Sequence, residues 1–254
     1  MSSSDLILMI LLFFATSIVG VVTGSNSLVT VPVMFQFGID EKVAVATNMF
    51  GLTFMAIGGT IPFMRQGSIE FRKLTPLVVL TVAGSAIGAA LVGLITNQSI
   101  KLIVSIAMIV MIVFTLIRRS GSTESGDGID RAIRRPRSMI VYVLTFLLAI
   151  YGGLYSGGYV TVLTATLVAF AAMSFTQSVA ATKFINVFSS GIATLVFMWQ
   201  GLVDYRLGTF LAVSMFAGAY VGAHYASKMN ETWLRRIFLA TVLILAIKTM
   251  FDFV

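Results

Sequence analysis

Two long apolar halves make up this chain, and a short run rich in glycine interrupts each half at a matching place. Residues 20–27 read Gly-Val-Val-Thr-Gly-Ser-Asn-Ser, and residues 153–160 read Gly-Leu-Tyr-Ser-Gly-Gly-Tyr-Val. Paired breaks in corresponding apolar segments are typical of the binding site of a membrane carrier. The pattern therefore favours a membrane protein that moves a solute.

Apolar residues are too abundant here for a soluble surface. They make up 58% of the chain, and only 11% of residues are charged, against about a quarter in soluble domains. They come in blocks close to the ~20 residues that a membrane-spanning helix needs. The sequence thus predicts an all-α polytopic membrane protein. The predicted spans are Leu6–Val22, Val43–Met64, Leu74–Ile95, Ile100–Ile117, Met139–Gly152, Val179–Trp199, Leu207–Ala226 and Trp233–Phe253. Two shorter pieces, Leu28–Phe37 and Thr161–Ala172, follow the breaks and are too short to cross alone.

The two halves are related by an internal duplication. The loop Gln66–Arg72 matches Gln200–Arg206 at an offset of 134. Residues 46–48 (Ala-Thr-Asn) resemble residues 181–183 (Ala-Thr-Lys), and Gly20 with Gly24 resembles Gly153 with Gly157. These upstream offsets differ by one or two residues, which predicts small insertions between the copies. Gly84 and Gly88 correspond to Gly218 and Gly222, and small residues at this spacing predict close helix packing.

The duplication divides the chain into three parts. Residues 1–117 form the first transmembrane repeat and residues 138–254 the second. Residues 118–137 between them contain six arginines with Ser, Gly and Asp. This composition predicts a solvated basic linker on the cytoplasmic side.

Loop charges favour repeats of inverted orientation. If each broken segment is a re-entrant hairpin, each half adds three full crossings and the second half is inverted. Twelve Lys and Arg residues then lie in the cytoplasm and three outside. If each broken segment crosses once, the repeats are parallel and the split is ten against five. Since basic residues concentrate in cytoplasmic loops, the first arrangement is favoured and the second stays open.

The breaks and the helix after each break carry the candidate binding groups. Irregular backbone at membrane depth must lie inside protein or beside water, and the first turn of a following helix favours an anion. Lys183 lies inside an apolar span, where a lysine costs about 2.5–3.5 kcal/mol unless it faces a cavity or partner. Two alternatives stay open: the glycines serve only helix packing, or Lys183 reaches a nearby interface. The predicted substrate-binding residues are Gly24, Ser25, Asn26, Ser27, Thr47, Asn48, Gly157, Gly158, Tyr159, Thr161, Thr182, Lys183 and Asn186.

Several other classes of function are disfavoured. The chain has no cysteine and one histidine, which argues against thiol chemistry, a metal site and an intramembrane enzyme. No nucleotide-binding P-loop is present, and no cofactor is expected. The net charge of +7 comes mostly from short loops beside apolar spans, so no nucleic-acid partner is expected. A non-transporting membrane scaffold stays open as an alternative.

The motifs also resemble a known family. The first-helix Gly-x-x-x-Gly followed by Val31-Pro32, the Ala-Thr-Asn helix start and the Gln-Gly-x-x-Glu/Asp-Phe/Tyr-Arg loops are similar to the TauE/SafE family of sulfite and organosulfonate exporters. This resemblance covers both halves. It implies a multi-pass carrier in the inner or plasma membrane of a prokaryote, with sulfite, sulfoacetate or a related sulfonate as substrate.

The energetics suggested by the sequence are simple. No Asp or Glu lies well inside a predicted span, so the usual carboxylate proton relay is missing. An interior-negative membrane potential favours anion export by about 2.3 kcal/mol per charge per 100 mV. We therefore expect a potential-driven exporter. The alternative is a transporter of another small anion or organic acid, including import or proton-coupled transport; the oligomeric state is not predicted.

Overall fold

In the computed structural model, helices account for nearly all of the described chain. The structure describes residues 3–24, 26–67, 71–120, 138–230 and 233. The helices in these ranges are α1 (Ser3–Thr23), α2 (Ser27–Gln36), α3 (Glu41–Arg65), α4 (Phe71–Leu94), α5 (Asn97–Ser120), α6 (Ser138–Leu154), α7 (Tyr159–Phe170), α8 (Phe175–Trp199) and α9 (Tyr205–Ala226).

The prediction of an all-α, multi-pass membrane protein is confirmed in this part of the chain. Five of the described helices, namely α1, α3, α4, α8 and α9, are long and apolar enough to cross a membrane. The short helices α2 and α7 contain 10 and 12 residues and follow the two breaks, as predicted. At 1.5 Å per residue they extend only about 15–18 Å. The predicted span Trp233–Phe253 and most of the linker lie outside the described residues.

The duplication is visible in the helix boundaries. Helices α3 and α8 both contain 25 residues and begin 134 positions apart. Left-handed glycines recur at the same offset: Gly24 (φ 72°) corresponds to Gly158 (φ 80°), and Gly67 (φ 66°) to Gly201 (φ 68°). Two sequence matches were therefore each wrong by one residue: Gly24 with Gly157, and residues 46–48 with residues 181–183. Glycine adopts a positive φ readily, so these glycines mark equivalent turns in the two copies. Because the offset stays at 134, no insertion separates the copies in this region.

The two halves pack by exchanging helices. The first helix of each half, α1 or α6, packs against the fourth helix of the other half, α9 or α4. The central helices α3 and α8 also pack against each other. A Cβ at Gly88 would collide with the backbone of Ile150 on α6, and one at Gly222 with that of Ile18 on α1. These glycines permit close helix packing, as predicted.

The distribution of polarity suits a lipid environment. Large apolar side chains such as Leu11, Val79 and Val213 point outward and are mostly exposed. Polar side chains such as Asn26, Thr164 and Lys183 are buried. An apolar exterior around a core that also contains many polar side chains suits lipid, since lipid stabilises the outer surface and interior polar groups bond to one another.

Gly24 offers a test of how tightly the two breaks contact each other. A Cβ built on Gly24 would lie 2.6 Å from Cβ of Val160 and 2.9 Å from the amide nitrogen of Thr161, whereas one built on Gly67 meets nothing within 4 Å. Both glycines have the same left-handed backbone, so alanine costs about 1–2 kcal/mol at either position. We expect Gly24→Ala to cost a further ~1–3 kcal/mol through steric overlap. Thermal unfolding of both variants in detergent measures this difference, and equal losses at the two positions would contradict the close contact.

Candidate functional site

The chain turns sharply at each break. A Cβ on Gly20 would lie 3.0 Å from Cβ of Asn26, although six residues of continuous helix would separate the two positions by about 9 Å. At the second break, a Cβ on Gly152 would lie 2.8 Å from the ring of Tyr159. Both breaks are therefore true turns between helices rather than mild kinks.

The two breaks lie against each other in the protein interior. The hydroxyl oxygens of Ser27 and Ser156 are 2.7 Å apart, and the Tyr155 hydroxyl donates to the Ser27 carbonyl at 3.0 Å. The Thr161 hydroxyl donates to the carbonyl of Thr23, the last residue of α1, at 2.6 Å. The bonds from Tyr155 and Thr161 satisfy backbone carbonyls that are buried in the protein interior.

A small cavity lies beside the paired breaks. Its volume is about 20 Å³, which is room for about one water molecule. The lining combines the breaks with side chains from α3 and α8. The lining residues are Gly20, Gly24, Asn26, Ser27, Leu52, Met55, Ala56, Ser156, Val160, Lys183 and Asn186.

Three polar side chains in this cavity lack adequate partners among the described residues. Asn26 is 4% exposed, and neither its amide nitrogen nor its oxygen makes a hydrogen bond. Lys183 is 3% exposed, and its one hydrogen bond within the described chain is a 3.4 Å contact from Nζ to the Gly20 carbonyl. The side-chain amide of Asn186 also makes no hydrogen bond there. Since buried polar groups are normally satisfied, the arrangement is suited to an external ligand.

The helix starts beside the cavity differ from other helix starts in the fold. Asp40, Ser174 and Asp204 cap α3, α8 and α9 through side-chain oxygens. The N-cap residues of α2 and α7, Asn26 and Gly158, provide no side-chain cap. Both short helices therefore direct uncapped first turns, with their partial positive charge, towards the breaks.

The charge around the cavity is positive. Within the described chain, Lys183 is the one charged residue that lines it, and no acidic side chain does. No group of His, Cys, Asp or Glu in the described ranges could hold a metal ion. The available chemistry is therefore hydrogen-bond donation and attraction of an anion.

A second layer of side chains positions the breaks. The Asn48 amide donates to the Ser27 hydroxyl at 3.0 Å, and its oxygen accepts from the Thr30 hydroxyl at 2.7 Å. In the second half the hydroxyl oxygens of Thr164 and Thr182 are 3.0 Å apart. The pair Thr30–Asn48 corresponds to the pair Thr164–Thr182 at the offset of 134. Each half therefore anchors its short helix to the long helix that follows it in the same way.

The predicted site residues that the structure describes line the cavity, support the residues that line it, or lie elsewhere. Five line the cavity: Gly24, Asn26, Ser27, Lys183 and Asn186. Asn48, Thr161 and Thr182 form the supporting bonds described above. Ser25 lies outside the described residues.

The remaining predicted residues lie away from the cavity lining. The Thr47 hydroxyl accepts from the backbone N–H of Asp204, at the start of α9. The carbonyl of Gly157 accepts from the Tyr151 hydroxyl, and Gly158 is the N-cap of α7. The Tyr159 hydroxyl is buried near Thr81 and Ser189 but makes no hydrogen bond within the described chain. These contacts stabilise the fold around the site.

Sequence reasoning missed six lining residues. Gly20 and Ser156 lie within the two breaks that the sequence identified, so their position in the sequence could have predicted that they line the site. Leu52, Met55, Ala56 and Val160 are apolar residues in apolar segments, and nothing in the sequence distinguishes them from lipid-facing neighbours. Only the packing of α3 against α8 brings the α3 residues to the cavity.

Comparison with known proteins identifies the family of this chain. Residues 8–249 match the family described as Sulfite exporter TauE/SafE. The chain belongs to that family. It is thus a multi-pass membrane transporter of the prokaryotic inner membrane, and the resemblance seen in the sequence motifs is confirmed.

Curated relatives are similar over nearly the full length. A probable membrane transporter protein, ORF9, from Sinorhizobium sp is 25% identical over 96% of this chain and 93% of its own. The probable membrane transporter protein YfcA of Escherichia coli strain K12 is 23% identical over 95% of this chain and 89% of its own. The probable membrane transporter protein YdhB of Bacillus subtilis is 22% identical over 97% of this chain and 100% of its own. No solved structure matches the chain.

The contrast between Asn48 and Asn186 predicts different effects on stability. Replacing Asn48 with alanine removes two buried hydrogen bonds, to Ser27 and Thr30, and should cost about 1–3 kcal/mol. Asn186→Ala removes no side-chain hydrogen bond of the described chain and should cost clearly less. Thermal unfolding in detergent compares the two variants. A loss at Asn186 as large as that at Asn48 would show that Asn186 also supports the fold.

Proposed function

We propose that this chain exports small sulfur-containing anions, such as sulfite, sulfoacetate or related sulfonates, through the cavity beside the two breaks. One observation carries the proposal: Asn26, Lys183 and Asn186 present poorly satisfied polar groups to one buried cavity that no described acidic side chain lines. The family's description as sulfite exporters supports a sulfur oxyanion as the substrate.

The donors suit an oxyanion. Sulfite and sulfonate groups each present three acceptor oxygens on one sulfur atom. The Lys183 ammonium offers three N–H donors and each asparagine amide offers two. Charge-assisted hydrogen bonds are about twice as strong as neutral ones. A bound anion would therefore compensate the burial of Lys183, which the Gly20 carbonyl does only weakly at 3.4 Å.

Transport requires the cavity to open, because about 20 Å³ does not hold a sulfonate. In our proposal the repeats are inverted, and rocking of one against the other exposes the cavity to each side in turn. The hydrogen bonds between the breaks, such as Ser27 to Ser156, are candidates for bonds that change during this motion. The membrane potential supplies about 2.3 kcal/mol per charge per 100 mV for export.

Lys183→Met tests both the site and the energetics. Methionine occupies the equivalent position, Met49, in the first half. In vesicles with a potassium-valinomycin potential, wild-type efflux of sulfoacetate should rise as the anion-containing side becomes negative. Lys183→Met should lose at least about tenfold in rate, because the ammonium no longer offsets the anion's desolvation. It should remain folded, since an apolar residue replaces a poorly paired buried amine.

The matched control is Lys101→Met. Lys101 is 60% exposed and pairs with Glu41 at 2.7 Å, so its removal should leave transport unchanged. Undiminished transport by Lys183→Met would contradict the site. Transport that follows an imposed proton gradient and ignores the potential would contradict the proposed driving force, and efflux of organic acids but of no sulfur anion would favour the wider substrate class.

Gly67 and Gly201 provide a test of the inverted orientation. They occupy equivalent loops 134 residues apart, and a side chain on either meets nothing within 4 Å. We expect Gly67→Cys to react with a membrane-impermeant maleimide from the cytoplasmic side and Gly201→Cys from the outside. The wild type contains no cysteine, so it serves as the unlabelled control. Labelling of both positions from the same side would instead establish parallel repeats.

A further inference from the structure

The cavity has an apolar component that anion binding alone does not explain. Helix α3 contributes only Leu52, Met55 and Ala56 to the lining, whereas α8 contributes Lys183 and Asn186. An oxyanion surrounded by acceptor oxygens gains nothing from hydrocarbon or thioether groups. A ligand with an anionic head and a short apolar substituent would use both kinds of surface.

The internal duplication allows the cavity residues of α3 to be compared with their counterparts on α8. At the offset of 134, Leu52 corresponds to Asn186, Met55 to Ser189 and Ala56 to Ser190. Helices α3 and α8 contain the same number of residues and begin at equivalent positions. Of these three counterparts only Asn186 lines the cavity. At that one pair of equivalent cavity positions, α3 has an aliphatic side chain and α8 has an amide.

Met55 is the member of the apolar set best placed to control size. It is 4% exposed, and its terminal methyl lies 3.2 Å from where a Cβ on Gly20 would stand, beside the Asn26 side chain. Methionine is unbranched and flexible, so it fills a gap when no ligand is present and can move aside. In a cavity of about 20 Å³, any ligand larger than water must displace such a side chain.

We infer that Met55 determines which organic substituent the transported anion carries. This inference rests on the proposed function: Asn26, Lys183 and Asn186 hold the anionic head, while Met55 and its α3 neighbours contact the substituent. Short substituents require only a small displacement of Met55, and longer ones require a larger displacement.

The experiment measures binding of methanesulfonate, ethanesulfonate and propanesulfonate to purified protein by calorimetry. The deciding quantity is the Kd of methanesulfonate divided by the Kd of propanesulfonate. In Met55→Ala this ratio should rise about tenfold over wild type, since two more methylenes are then buried in the vacated space. In Met55→Gln, which keeps the length of the side chain but adds an amide, the ratio should fall below that of wild type.

Met49→Ala is the matched control. Met49 is buried on the same helix but does not line the cavity, so its removal should leave the ratio unchanged. An unchanged ratio in Met55→Ala and Met55→Gln, with methanesulfonate still bound, would overturn the inference and leave the proposed function standing. Failure of folded wild-type protein to bind any sulfonate or sulfite would overturn both.

Discussion

Backbone groups inside a membrane need partners within the protein, and this requirement holds the two breaks together. Thr161 satisfies the carbonyl at the end of α1, and Tyr155 satisfies the carbonyl of Ser27. Each of these bonds joins the first half to the second. The first break therefore depends on the second for partners to its carbonyls, and the contact between them places two helix starts without side-chain caps beside one cavity.

The second layer of the site is conserved between the halves, whereas the cavity surface is not. Thr30 with Asn48 and Thr164 with Thr182 make equivalent bonds, because each short helix needs an anchor to the long helix that follows it. Leu52 and Asn186 occupy equivalent positions and both reach the cavity, yet one is aliphatic and one is an amide. The two halves therefore share a scaffold and differ in a few of the side chains that line the cavity.

Lys183 gains its significance from this asymmetry. Its counterpart in the first half is methionine, so the cavity contains one ammonium group rather than a symmetric pair. A lone buried cation with a 3.4 Å carbonyl contact is poorly compensated. Burial of the Lys183 ammonium without a strong partner is costly. An anion that paired with this group would offset that cost, which favours an anionic ligand.

The sequence by itself determined the membrane class, the helix count of the described region, the duplication and the location of the two breaks. These follow from apolar length, glycine placement and internal repetition, which are local properties. Only the tertiary structure decided that Asn48 supports the site while Asn186 lines it, and that Leu52, Met55 and Ala56 belong to the cavity. Every face of a membrane helix can be apolar, so hydrophobicity cannot distinguish a residue that contacts lipid from one that contacts a ligand. That distinction depends on which helices pack together.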